Sequence, residues 1–371
     1  VRWELGSDCL VLHLTLIPFL AASGELKTKP TQHSVKKLLE YGLQPDILVC
    51  RAEHEIPREV RNKIARFCNV EPQAVIASLD AKTIYDVPLL MMEEELDKVA
   101  IRKLGLELGE EPELKTWKSF LKRLKNPKNS VKIGLIGKYI ELKDSYKSIA
   151  EGFIHAGANN ECSVELEWIH SEGINSENAQ EKLGHLNGIL VAPGFGERGI
   201  AGKLAAVKFA RENKTPFFGI CLGMQCAVVE FAQNVMGLES SSKEINSDVK
   251  HPVIDLMEEQ KKIRNMGGTM RLGAYPCSLE EGSIAHQAYG TREISERHRH
   301  RYEFNNFYKD DFEKAGMKAT GINSDTGLVE VVEIKDHPYF IGVQFHPEYK
   351  STVANPHPLF IGFVKAALEN V

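Results

Sequence analysis

The sequence predicts an α/β protein of two domains, and three observations carry that reading. Short apolar runs of strand length alternate with amphipathic helical stretches along most of the chain. A length of 371 residues allows two separate cores, and Asn126-Pro-Lys-Asn-Ser130 reads as the end of a linker between them. One strand-to-helix transition, Thr215-Pro-Phe-Phe-Gly-Ile-Cys221-Leu-Gly223, has the glycine-flanked nucleophile that belongs above a parallel sheet.

In chain order, Val1 to Asp8 read as the end of a helix entered partway, so the chain is expected to be a fragment. Leu10 to Leu20 is the longest apolar stretch, broken by His13, Thr15 and Pro18. It is too short for a membrane span and is expected to be a buried strand. Strands are expected at Asp46–Cys50 and 74–78, with helices over Ser34–Tyr41 and Arg58–Phe67. Glu110 to Lys125 is expected as a charged amphipathic helix with Leu114, Trp117, Leu121 and Leu124 on one side. A second α/β domain opens at Val131–Gly137, with a helix from about Ser145 and strands at 163–169, 188–192 and 216–221. A helix follows from Gly223 to about Val235, then a polar insertion at 239–251, strands at 328–334 and 339–345, and a closing helix over Pro358–Asn370. The division is 1–104, a connecting helix and linker over 105–130, and 131–371.

Composition removes several function classes. A net charge of −5 gives no overall attraction to nucleic acid or to an anionic membrane. The seven cysteines are odd in number and lack any Cys-x-x-Cys pair, which speaks against a disulfide framework or zinc site and for a reducing, cytoplasmic setting.

Chemistry concentrates in few places. Cys221 sits in Gly219-Ile-Cys-Leu-Gly223, where glycines leave room for a tight turn that lifts the thiol above the sheet. Alone, such a cysteine reads as a small core residue. The distant Gln344-Phe-His346-Pro-Glu348 changes that, because a base and a carboxylate two apart lie on one side of an extended segment. Cys226 lacks the glycines and reads as packing. Ala192-Pro-Gly194-Phe-Gly196 ends a strand, and the N–H of Gly194 with that of Leu222 would face a developing oxyanion. Glu296-Arg-His-Arg-His-Arg301-Tyr-Glu303 reads by composition as a phosphate-binding or nucleic-acid patch or a solvated charge run; one short run in an acidic protein argues against nucleic acid, and an arginine here could instead clamp a substrate carboxylate. Gly267-Gly-Thr-Met-Arg271-Leu-Gly273 is a poor phosphate loop and fits a mobile lid better. Lys27-Thr28-Lys29-Pro30-Thr31-Gln32, just before a helix, is either a triphosphate cradle or an ordinary solvent-facing cap.

Taken together, Lys27–Val35, Gly219–Gln225, Gly267–Gly273, Arg297–Glu303 and Gln344–Glu348 resemble the CTP synthase family, from about residue 10 to the C-terminus. The resemblance implies a class I glutamine amidotransferase domain (a mixed, mostly parallel sheet flanked by helices), complete here. Before it would come the C-terminal part of a P-loop-type synthetase (amidoligase) domain. The family makes CTP from UTP, ATP and glutamine, with Mg2+ and GTP activation, as a homotetramer. Cys221 would attack the glutamine amide, with His346 as base and Glu348 orienting it. Gly194, Leu222, Gly223, Met224, Gln225, Glu244 and Arg301 match glutamine-binding positions. Lys27, Thr28, Lys29, Pro30, Thr31, Gln32 and Lys63 match the site for UTP and inhibitory CTP, and Arg51, Asp80 and Ala81 match that for ATP. The family's phosphate loop and metal carboxylates have no counterpart in these residues, so glutamine hydrolysis alone is expected of this polypeptide, as an N-terminally truncated member. The rival readings are the glutaminase part of another amidotransferase, a γ-glutamyl thiol hydrolase, and a non-catalytic assembly piece.

Overall fold

The computed structural model describes residues 1–256 and 270–370, which form two compact units, Val1–Leu114 and Lys115–Val371. The division falls at 114/115, so the helix Lys115–Lys125 belongs to the second unit, where its Phe120 and Leu121 are buried. This helix starts five residues later than its charge pattern implies, consistent with Pro112 disfavouring helical backbone in the residue before it.

The first unit is built on three parallel strands in the order Leu12–Leu16, Ile47–Ala52, Val75–Leu79. The central strand is largely buried on both faces, as crossover connections require. One face packs with Val35, Ile64 and Cys68 from the helices Lys29–Glu40 and Arg58–Cys68, and the other with Ala74 and Val99. The expectation of a buried strand over Leu10–Leu20 needs correction. Leu12–Leu16 is an edge strand whose leucines point outward, at 48, 67 and 56 % exposure, while Thr15 is buried. Alternation along the strand puts the polar residues inward. There Thr15 meets Thr31 and His13 meets Ser34.

The second unit is a nine-stranded sheet. Its order is Glu293–His300, Arg271–Leu279, Met317–Ile322, Val329–Ile334, Phe340–Val343, Phe217–Ile220, Gly188–Val191, Asn129–Gly137, Cys162–His170. The last five run parallel to one another, and the first four add antiparallel pairings. The helices Lys147–Asn159 and Pro358–Glu369 cover one face, where Phe153, Phe218, Phe360 and Phe363 interlock. Ile200–Glu212 and Leu222–Asn234 cover the other with Val207, Phe217 and Val228. Adjacent Phe217 and Phe218 thus serve opposite cores, as a two-residue period demands.

The polar stretch 239–251 is not a structureless insertion. Ser240–Ser242 pairs with His251–Leu256, which pairs with Tyr302–Phe304 in a small second sheet. Of the glycine-rich segment read as a lid, Gly267, Gly268 and Thr269 lie outside the described residues. Arg271 begins a strand and is 5 % exposed, so the lid reading does not extend to it. Among the described residues, no helix is long and apolar enough to cross a membrane.

Candidate active site

Three neighbouring parallel strands deliver three chemical parts at their C-terminal ends, the place where open α/β sheets hold ligands. The middle strand, Phe217–Ile220, runs into Cys221. The strand on one side, Phe340–Val343, runs into His346, and the one on the other side, Gly188–Val191, into the loop 192–196. Cys221, His346 and Gly194 line one cavity of about 230 Å³. Cys221 adopts φ 51° and ψ −102°, a conformation side chains rarely take, and its N–H donates to Val343 O at 2.7 Å. Its carbonyl accepts from the N–H of Gln225 as the helix Leu222–Asn234 begins. The strain therefore sits on Cys221 itself rather than on its flanking glycines.

His346 Nδ1 lies 2.8 Å from a carboxylate oxygen of Glu348, and both residues are buried. With its proton on Nδ1, the ring presents Nε2, which is buried and has no hydrogen-bond partner among the described residues. Burial, the largest single influence, disfavours the imidazolium. Interactions with Cys221 and with the Glu348 carboxylate together outweigh it and raise His346 well above its ordinary value. The ring stacks on Tyr349 at 5.2 Å, which fixes its plane. Gln344 Nε2 donates to the Cys221 sulfur at 3.6 Å, and Gln344 Oε1 accepts from Gln225, whose own amide also reaches Tyr302 O.

The loop 192–196 is held at several points. Lys203 Nζ donates to Ala192 O at 2.5 Å. Lys138 Nζ donates to Phe195 O at 2.8 Å and to Gly196 O at 2.5 Å. Gly196 N–H donates to Glu244 Oε1 at 2.9 Å. Among the described residues, no protein acceptor takes the N–H of Gly194 or Leu222. Sequence reading missed Lys138, Lys203 and Gln344. It also missed Arg299, which lines the cavity and whose carbonyl lies 4.0 Å from the sulfur.

The other glutamine-site candidates are distributed. Leu222 and Gln225 line a second, larger cavity of about 430 Å³ on the far side of the helix start, together with Cys226. Burial pushes the Cys226 thiol up to about 11, which fits the packing role read for it. Gly223 and Met224 are buried in the first turn of the helix, Gly223 against Val191 and Met224 against Gly342. Arg301 stands at the bend between Glu293–His300 and Tyr302–Phe304. The basic run is not a uniformly solvated patch, because Glu296, His298 and His300 alternate inward while Arg297 and Arg299 face outward.

Below the site, Arg271 is bonded to Glu330 at 2.7 Å, and His298 to His300 at 2.9 Å. Burial is the main cause that lowers His298 to about 2 and His300 to about 3, so both rings are neutral. His298, His300 and Glu330 form the one candidate metal-ligand group among the described residues. Its His298 Nε2 and Glu330 Oε2 have no hydrogen-bond partner among the described residues, but two imidazoles beside one carboxylate and a guanidinium are not the oxygen-rich set Mg2+ takes, so it fits a Mg2+ site poorly.

In the first unit, Lys29 opens the helix Lys29–Glu40, with Pro30 in its first turn and Thr28 as cap residue. Thr28 accepts from Gln32 at 3.1 Å, and Thr31 is buried against Leu16 O. Lys27 pairs with Glu25 at 2.6 Å. Lys27 first, and Lys63 to a smaller degree, lower the Glu25 carboxyl, which brings both lysines to one place. Arg51 and Asp80 pair at 2.9 Å, with Ala81 next in the chain.

Comparison with known proteins covers both units. Residues 1–106 match the family described as CTP synthase N-terminus, and residues 141–366 match glutamine amidotransferase class-I. The CTP synthase of Christiangramia forsetii is 63% identical over 372 residues, covering 100% of this chain and 68% of the relative. That of Cytophaga hutchinsonii is 64% identical over 368 residues, covering 99% and 68%. Among solved structures, the Trypanosoma brucei CTPS glutaminase domain with bound acivicin is similar at TM-score 0.61 and 37% identity, covering 64% of this chain and 94% of that one.

Proposed function

The chain belongs to the CTP synthase family, and from that premise we propose that Cys221, His346 and Glu348 hydrolyse the side-chain amide of glutamine. The observation that carries the reading is the meeting of Cys221, His346 and Gly194 in one cavity, with Glu348 on the far nitrogen of the imidazole. The thiolate adds to the amide carbon, and the carbonyl oxygen becomes an oxyanion facing the N–H groups of Gly194 and Leu222. The His346 imidazolium gives its proton to the departing nitrogen, releasing ammonia and leaving a γ-glutamyl thioester on Cys221. His346 then takes a proton from water, which adds to the thioester, and glutamate leaves with the thiolate restored. Gln344 holds the sulfur throughout, and Glu348 keeps the imidazole oriented.

The ammonia would serve the amination of UTP to CTP, with ATP activating the pyrimidine oxygen and Mg2+ neutralising the phosphates. Lys27 to Gln32 at a helix start, with Lys63 nearby, suit a nucleotide phosphate, and the Arg51–Asp80–Ala81 edge would take ATP. Gln225, Glu244 and Arg301 would hold glutamine, with Arg301 on its α-carboxylate. Glu244 would act partly through the loop that its carboxylate already binds. GTP activation, CTP inhibition, homotetramer assembly and a cytoplasmic setting are assigned on the same family basis. To residues 1–371 alone we assign the glutaminase step.

The test uses acivicin, the compound bound in the trypanosomal glutaminase domain. It is expected to add covalently to the peptide bearing Cys221, and an excess of glutamine is expected to prevent the labelling. Labelling elsewhere, or labelling indifferent to glutamine, would remove the assignment. A second expectation concerns orientation. Glu348→Gln keeps the shape but removes the charge that fixes the imidazole tautomer, so kcat for glutamine should fall by roughly 10²-fold or more with KM little changed. An unaltered kcat would show that Glu348 does not orient the base.

A further inference from the structure

Lys203 is 0 % exposed, and its only hydrogen-bond acceptor among the described residues is Ala192 O. An ammonium has three donors, so this burial is unfavourable unless something else requires it. Burial, the largest influence, lowers its pKa to about 8, and Lys138 adds like-charge repulsion to the same effect. Lys138 is nearly as buried, at 1 %, and spends its donors on Phe195 O and Gly196 O. Neither ammonium has a carboxylate as its hydrogen-bonding partner. Both close on backbone carbonyls of one five-residue loop, from opposite ends.

Gly196 completes the pattern. Its carbonyl accepts from Lys138 while its N–H donates to Glu244, so the last residue of the loop is pinned between a cation and an anion. Pro193 has no N–H, and between the clamped ends the N–H groups of Gly194 and Phe195 take no protein acceptor among the described residues; Gly194 is the one packed beside Leu222, the other oxyanion donor of the glutaminase reading. A backbone donor is an effective oxyanion binder only if it does not have to reorganise during the reaction. Resting on the glutaminase reading above, we propose that Lys203 and Lys138 are positioning residues, a buried two-point brace that fixes the Gly194 N–H where the tetrahedral oxyanion forms.

The experiment compares two reactions of the same sulfur in the 371-residue chain. Glutamine hydrolysis develops an oxyanion. Alkylation by iodoacetamide forms an S–C bond as iodide leaves, with no oxyanion at all. Lys203→Met keeps the bulk and removes the donor. It is expected to lower kcat for glutamine by roughly 10²-fold, the scale of losing one oxyanion donor, with KM changed far less. The rate of Cys221 alkylation should stay within about a factor of two of the parent chain, because that step needs no oxyanion donor. Lys138→Met should behave likewise, and Lys138→Arg should recover part of the lost turnover; this pair decides the matter if Lys203→Met does not fold. Unchanged kcat in the methionine variants overturns the brace, and so does a parallel fall in alkylation, which would mean the thiol or the fold was disturbed instead. A parent chain without Cys221-dependent hydrolysis overturns the glutaminase reading and the brace with it. Normal parent activity beside unaffected variants overturns the brace alone.

Discussion

Cys221→Ala is expected to reduce glutamine hydrolysis by at least about 10⁴-fold, to the background of the assay, because the step that makes the thioester has no other nucleophile. Cys226 is the nearest rival thiol in sequence, but it lines the other cavity and burial keeps it protonated. The substitution removes one atom from a buried position and leaves the backbone demand at φ 51° as it was, since alanine and cysteine are equally reluctant to adopt it. Stability should therefore change little, and the measured loss would belong to chemistry. Release of ammonia and glutamate, followed beside a urea denaturation curve, separates the two. Turnover at an undiminished rate in the alanine protein would remove Cys221 from the mechanism.

The parallel half of the sheet was legible because its strands are continuous apolar runs bounded by Gly, Pro and Asn, such as Phe217–Ile220 and Gly188–Val191. The thiol and imidazole were legible as a pair because motif spacing placed each at a strand end. What the residues do not say is that those two strands are neighbours, which is a property of long-range pairing. The helix Ile200–Glu212 was missed for two reasons: Lys203 disguises a buried position as a polar one, and Gly194, Gly196, Gly199 and Gly202 weaken the helical pattern around its start. The antiparallel strands Arg271–Leu279 and Met317–Ile322 were hidden by proline, glycine and polar residues that an outer, less covered part of a sheet tolerates. At Leu12–Leu16, apolar character was read as burial when the leucines face outward, because edge position is likewise not encoded locally.

The elbow glycines were expected to leave room for a tight turn, and they do so by permitting close backbone approach: the positive φ belongs to Cys221, not to Gly219 or Gly223. A Cβ on Gly219 would lie 2.7 Å from the carbonyl carbon of Gly223, and one on Gly223 would lie 2.1 Å from Val191 O. The second figure is about 1.3 Å short of the 3.4 Å at which ordinary contact begins. Both obstacles are backbone, so no rotamer change relieves them. For Gly223→Ala the helix Leu222–Asn234 has to lift off the neighbouring strand at its first turn, carrying the Leu222 N–H and Cys221 with it. Overpacking of this kind should cost about 3 kcal/mol or more of stability, at the upper end for an added methyl. A displacement of about 1 Å at the reacting groups should lower kcat/KM by a further 10²-fold or so in whatever protein remains folded. Urea midpoints and glutaminase rates per folded molecule measure the two effects separately. Gly109→Ala, where no other atom lies within 4 Å, is the control and should alter neither. If Gly223→Ala matched that control, the helix start would not be seated on the strand as closely as described. Cys221 would then have to be held in place by its hydrogen bonds, chiefly those to Val343 and Gln344, rather than by the seating of the helix.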